Sequence, residues 1–251
     1  MFSLSLIKIN HKSAVLGKAS NILILAPESP KREKLRVLYL LHGLSDDYSA
    51  WLRYTSLERY LKYNSDTLVV MPDAQKSFYT DMAHGDNYYT YIAKEIPEFI
   101  SSLFNISKDR NDTYIAGLSM GGYGAFKIAL KNPDRFSAAA SFSGALDIEA
   151  LSKSIDGFSK IATDILGEGY ELNSSNENLF RLLEKDLPQK PRLLQMCGTE
   201  DFLYQINQNF KNKIEDKKFD YEYKESPGTH NWDYWDQCIK YALEFFNIEN
   251  Q

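Results

Sequence analysis

Apolar and polar residues fall into runs whose period changes along the chain, and the changes mark its elements. Two early segments, Ser3–Asn10 (SLSLIKIN) and Asn21–Pro27 (NILILAP), read as strands. The first alternates apolar with polar, which predicts a half-solvated antiparallel edge, and Gly17-Lys18 lies near a turn between the two. A charged loop at Ser29–Lys34 leads into Arg36–Gly43 (RVLYLLHG), a continuous apolar run of the kind covered on both faces. Thr67–Asp73 (TLVVMPD) is a second such run, stopped by Pro72. Between them, Trp51, Leu52, Leu57, Tyr60 and Leu61 recur at helical spacing within Ser49–Tyr63.

From Ala74 to Asn87 there is no period, which predicts a loop. Tyr88–Phe104 resumes a helical pattern, with Pro97 expected to kink it or to mark a first turn. Asp112–Gly117 (DTYIAG) reads as a short buried strand, followed directly by a helix over Ser119–Pro133 that Pro133 ends. Phe136–Ala145, Pro191–Gly198 and Phe219–Ser226 give three more strands, and Asn231–Phe246 a closing amphipathic helix.

Strand and helix thus alternate from Arg36 onward. This is the pattern of an α/β fold with a mostly parallel central sheet, helices on both faces and antiparallel edge strands at the N-terminal end. Ile148–Lys190 interrupts the alternation: it is polar, weakly periodic and placed between two strands. The expectation is one domain over residues 1–251, with a cap-like insertion at about 148–190.

Composition narrows the function. The 251 residues are 43% hydrophobic and 25% charged, ordinary values for a folded domain. A formal net charge of -5, with no basic tract interleaved with aromatics, argues against a nucleic-acid partner. No apolar run approaches the roughly 20 residues that cross a bilayer. The N-terminus lacks the basic start and unbroken apolar core of a signal peptide, so a cytoplasmic, membrane-free protein is expected. Cys197 and Cys238 are expected to be free, buried and inert. A homo-oligomer is compatible with the sequence, which does not fix the state.

The chemistry enters at Gly117-Leu118-Ser119-Met120-Gly121, a G-x-S-x-G pattern between a strand and a helix. A serine on that sharp turn projects its hydroxyl above the sheet, and the flanking glycines remove side chains that would collide. The helix that starts after Ser119 points its free N–H groups at the place where negative charge develops in acyl transfer, so the Met120 N–H is one oxyanion donor. A serine nucleophile needs a base, and in this arrangement the order is serine, acid, histidine. Of His11, His42, His84 and His230, only His230 follows Ser119. The acid belongs just past a strand between them, where Glu200 and Asp201 stand side by side and spacing does not separate them. The second oxyanion donor is assigned to the Leu44 N–H in Leu41-His42-Gly43-Leu44, with His42 bracing that loop through hydrogen bonds. No histidine pair has metal-ligand spacing, no C-x-x-C or phosphate-binding glycine loop occurs, and neither metal nor cofactor is expected.

Taken together, YLLHGLSDDYSAW, VVMPD, FYTDMAHGDNYYTY, YIAGLSMGGYGAFKIAL, FSAAASFSGAL, GTEDFLY and PGTHNWDYW resemble, in order, the tributyrin esterase branch of the esterase D family of α/β-hydrolases. That family includes S-formylglutathione hydrolases and, more distantly, feruloyl and acetylxylan esterases. The resemblance implies an α/β-hydrolase fold and a Ser119–Asp201–His230 triad, which selects Asp201 over Glu200, with Leu44 and Met120 as oxyanion donors. It further implies hydrolysis of short-chain acyl esters, such as acetyl or feruloyl esters of plant sugars, with a small-molecule ester as the partner. The chain departs from S-formylglutathione hydrolases where they carry Ser-Gly-Leu-Thr-Cys-Thr and it has HGLSDD, which argues against formylglutathione. Trp51, Tyr79, Tyr88, Tyr89 and Trp232 lie near the site in sequence, and Trp51, Tyr79 and Trp232 are taken as substrate-binding. The insertion is expected to cap the site and to hold acyl and alcohol preference. Acyl transfer to an alcohol, thioester hydrolysis and ligand binding without catalysis are the alternatives.

Overall fold

In a computed structural model, which describes residues 4–155, 157–170 and 175–248, the apolar runs assemble into one eight-stranded sheet. The strands are β1 (Leu4–Lys12), β2 (Ala19–Pro27), β3 (Arg36–Leu41), β4 (Thr67–Pro72), β5 (Thr113–Leu118), β6 (Ala138–Phe142), β7 (Arg192–Gly198) and β8 (Tyr221–Ser226), in the order β1-β2-β4-β3-β5-β6-β7-β8. β1 pairs antiparallel with β2 and β2 antiparallel with β4; every other pairing is parallel. The alternation that predicted an edge is seen in β1, whose residues alternate between half-buried and exposed. The central strands β4, β5 and β6 are buried throughout, as their continuous apolar runs required.

Ten α-helices flank the sheet among the described residues: α1 (Ala50–Tyr54), α2 (Leu57–Tyr60), α3 (Tyr88–Thr90), α4 (Ile96–Leu103), α5 (Met120–Lys131), α6 (Ile148–Ser154), α7 (Phe158–Leu166), α8 (Leu179–Leu183), α9 (Tyr204–Ile214) and α10 (Trp232–Phe245). They bury two apolar clusters, one on each face of the sheet: Val37, Tyr39 and Leu41 of β3 face one, and Leu38 and Leu40 face the other. This is the α/β-hydrolase arrangement, an open, mostly parallel sheet wrapped by helices.

Two helical runs are not continuous, the first against its sequence pattern and the second at the proline expected to interrupt it. The run over Ser49–Tyr63 breaks into α1 and α2 at Thr55, whose hydroxyl donates to Trp51 O at 2.5 Å and accepts from Leu57 N at 3.2 Å. Side-chain bonding of this kind competes with the helical ladder. In Tyr88–Phe104, Pro97 falls in the first turn of α4, preceded by a π-helical turn over Tyr91–Glu95. Proline cannot donate to the carbonyl four residues back. That carbonyl, on Ala93, is taken by the Arg135 guanidinium instead.

The insertion folds as α6, α7 and α8, with residues 156 and 171–174 outside the described residues. It lies along α5, where Tyr123 Oη donates to Glu177 O at 2.6 Å, and α7 meets the loop after β4 through Ala83 N to Ile165 O and His84 N to Asp164 O. Among the described residues no helix is long and apolar enough to cross a membrane.

Candidate active site

Ser119 stands between the end of β5 and the first residue of α5, with φ 51° and ψ -117°. Few non-glycine residues adopt that conformation, and it costs of order 1–3 kcal/mol unless neighbours enforce it. Here they do: Ser119 N donates to Phe142 O at 2.9 Å, and Ser119 O accepts from Ala145 N at 3.0 Å and Tyr123 N at 3.1 Å. The flanking glycines serve close approach. A Cβ on Gly117 would lie 2.4 Å from Gly121 O, and one on Gly121 would lie 2.6 Å from Leu41 O. The turn therefore fits only if both positions lack side chains, the reason anticipated from the sequence.

His230, in the loop between β8 and α10, places Nε2 3.1 Å from Ser119 Oγ. Its Nδ1 lies 3.0 Å and 2.9 Å from the two carboxylate oxygens of Asp201, just past β7. The Asp201 side chain is shielded from solvent, and its Oδ1 also accepts from Leu203 N at 2.8 Å. An ionised carboxylate facing Nδ1 requires the proton there, which leaves Nε2 as an acceptor toward the serine hydroxyl. Of the two neighbouring acids, then, Asp201 meets the imidazole. Glu200, exposed beside it, turns its carboxylate to the Gly228 N–H instead. The imidazole is packed between Phe202 and Trp235, with ring centroids 4.5 Å and 4.9 Å away.

The loop after β3 runs beside Ser119. His42, buried at its base, accepts from Ala74 N through Nε2 at 2.9 Å. Its proton is therefore on Nδ1, which donates to Gly43 O at 2.8 Å. A neutral imidazole thus ties the Leu44-bearing loop to the end of β4. The Met120 N–H is the first of α5 and has no helical acceptor, as at any helix start.

A cleft of about 450 Å³ opens over Ser119 and His230, lined by Leu44, Leu118, Phe202, Trp232 and Trp235 among others. Trp232 is thus at the wall, where the sequence placed it. Trp51 and Tyr79 are not. Trp51 is 1% exposed and donates Nε1–H to Leu41 O at 3.0 Å, while Tyr79 is fully buried and donates its hydroxyl to His42 O at 2.9 Å. Large aromatics whose polar tips find backbone acceptors are stable inside, and both brace the cleft from behind. Tyr88 lines a separate hollow across the Leu44–Asp46 loop, and Tyr89 hydrogen-bonds Asn132 at 3.0 Å. The insertion contributes none of the side chains lining the cleft among the described residues. The sequence reading missed Phe202 and Trp235; the first directly follows the acid in GTEDF, and the second lies one helical turn from Trp232. No three His, Cys, Asp or Glu side chains converge to hold a metal ion among the described residues.

A serine hydroxyl, an imidazole and a carboxylate in one hydrogen-bonded line can carry acyl transfer. Residues 13–246 match the model of the family described as "Putative esterase". An acetyl esterase of Caldicellulosiruptor saccharolyticus is 31% identical, across 97% of this chain and 98% of its own length. Among solved structures, the substrate-bound fluorophosphonate-binding serine hydrolase FphF of Staphylococcus aureus superposes with a TM-score of 0.88 at 35% identity, covering 97% of this chain and 98% of that one. The S-formylglutathione hydrolase FrmB of Staphylococcus aureus gives 0.85 at 35% identity, covering 97% and 99%. A match that runs from the turn after β1 to the closing helix takes in every element that carries the site, and the chain belongs to this esterase family.

Proposed function

We propose that the protein is a serine carboxylesterase that hydrolyses short-chain acyl esters, acetyl esters foremost, through an acyl-enzyme on Ser119. The observation that carries this reading is the unbroken hydrogen-bonded chain from Ser119 Oγ through His230 to Asp201 at the floor of an open cleft. Ser119 Oγ attacks the ester carbonyl while His230 Nε2 takes its proton. Asp201 holds the imidazole in the required tautomer and stabilises the imidazolium without taking the proton. The N–H groups of Leu44 and Met120 receive the oxyanion. His230 then protonates the departing alcohol, and water, activated by the same imidazole, releases the acid and restores Ser119.

Trp232 and Phe202 line the same cleft as His230, which supports a role for them in contacting the alcohol as it leaves. The acetyl esterase relative supports a short acyl group. The S-formylglutathione hydrolase neighbour supports thioester cleavage as a second reading, since the same triad serves either bond. Two free, buried thiols support a reducing, cytoplasmic setting.

The test is release of p-nitrophenol from a graded series of acyl esters by the wild type and Ser119→Ala. The short esters are expected to turn over, with a loss of at least about a thousandfold in the variant. A wild type inert across the series, or a variant that matches it, overturns the reading.

A further inference from the structure

Glu200 stands next to the catalytic acid, yet its carboxylate is engaged elsewhere. Oε2 accepts from the Gly228 N–H at 2.5 Å and Oε1 from the Thr199 hydroxyl at 3.0 Å. The main chain completes the link, because Glu200 N donates to Gly228 O at 3.0 Å. One residue thus holds both backbone polar groups of Gly228, two positions before the base. Thr199 N donates to Ser226 O at 3.0 Å, so the β7–β8 pairing, which ends with Gly198 opposite Ser226, continues past the strands into the two catalytic loops. The loops approach so closely that a Cβ on Gly198 would lie 2.2 Å from Gly228 O.

We propose that Glu200 is a positioning residue: it fastens the loop that carries His230 to the turn that carries Asp201, and so sets the separation between Nδ1 and the carboxylate. The kinetic part of this inference rests on the esterase reading above; the spectroscopic part of its test does not. Glu200 is solvent-exposed, so water can replace its carboxylate on the Gly228 N–H at little cost to folding. Catalysis is less tolerant, because small displacements of a reacting group lower the rate steeply. A residue that positions the base therefore changes turnover while leaving the melting temperature nearly unmoved.

The experiment compares wild type, Glu200→Ala and Glu200→Gln, with Ser119→Ala as the inactive reference, on p-nitrophenyl acetate. Glu200→Ala is expected to lower kcat by about tenfold to a hundredfold, with KM within about twofold. Glu200→Gln keeps an oxygen for the Gly228 N–H and is expected to recover most of that loss. In parallel, proton NMR follows the far-downfield resonance of the His230 Nδ1–H, assigned by its disappearance in Asp201→Asn. It should persist in wild type and Glu200→Gln and broaden or vanish in Glu200→Ala. The inference is overturned if Glu200→Ala keeps both wild-type kcat and the resonance. It is also overturned if Glu200→Gln falls as far as Glu200→Ala, which would assign the effect to charge. A wild type without esterase activity would overturn the esterase reading, and the resonance alone would then decide the role of Glu200.

Discussion

Replacing Glu177 with glutamine removes the carboxylate shared by two lysines of α5 and measures how firmly the insertion is held to that helix. Lys127 is fully buried, and its ammonium donates to Glu177 Oε2 at 2.6 Å, Thr80 Oγ1 at 2.7 Å and Phe78 O at 3.1 Å. Lys131 donates to Glu177 Oε1 at 2.9 Å. Burial pushes the Lys127 ammonium down from 10.5 to about 8, with Glu177 resisting the fall. Burial pushes the Glu177 carboxyl up, but the two lysines outweigh it and bring the group from 4.5 down to about 2. At about 1.4 kcal/mol per tenfold change in proton affinity, the Glu177 side of the pair alone corresponds to about 3 kcal/mol favouring the native state at neutral pH, the lowered Lys127 working the other way; Glu177→Gln removes the first and leaves the buried ammonium without its counter-charge. The Glu177 side chain is 18% exposed, so solvent screening trims the figure only modestly.

An acid whose affinity for protons falls on folding stabilises fully above its unfolded value. That stabilisation is lost as pH drops from 4.5 toward about 2. Glu177→Gln is therefore expected to melt roughly 6–12 °C below wild type at pH 7, the scale for a chain of this size. The gap should close in acid. Circular dichroism melts from neutral to acid pH read both effects. The reasoning is refuted if the two proteins melt together at neutral pH, or if the gap does not change with acid. A Lys127→Met, Glu177→Gln double variant should recover most of the loss, since Lys127→Met removes the buried ammonium that Glu177→Gln alone leaves without a counter-charge.

Two further substitutions probe the loop and the turn around the nucleophile. His42→Ala strands the buried Ala74 N–H and frees Gly43 O, so it should cost about 1–3 kcal/mol in chemical denaturation and lower kcat; unchanged values in both assays would refute the bracing role. Gly121→Ala would drive a Cβ to 2.6 Å from Leu41 O and 2.7 Å from His42 O, both backbone atoms, and a loss of about 3 kcal/mol or more is expected in a thermal or denaturant melt. A variant as stable as wild type would contradict the geometry of the turn.

The strands and the line of the triad were legible because each rests on local chemistry. A two-sided strand must be apolar throughout, and the nucleophile turn must carry glycines where backbones meet. The serine's partner was legible because His230 is the one histidine after Ser119. The choice between Glu200 and Asp201 rested on the family resemblance alone, since adjacent carboxylates differ only in what their side chains reach, and spacing does not show that. The aromatic wall misled at Trp51 and Tyr79 for the same reason: an aromatic near the site in sequence can turn its polar tip to a backbone carbonyl and leave the cleft altogether. Arg135 beneath Pro97 and Glu177 beside Lys127 left no signal either, being single long-range pairs with no period.

The most direct test of the account is to trap the covalent intermediate. Wild-type protein is mixed with excess p-nitrophenyl acetate, quenched in acid within the first turnovers, and digested for peptide mass mapping. The account predicts one acetyl group, on the peptide that contains Ser119, and none in Ser119→Ala. Turnover with no acetylated peptide, or with acetyl on another residue, would contradict it.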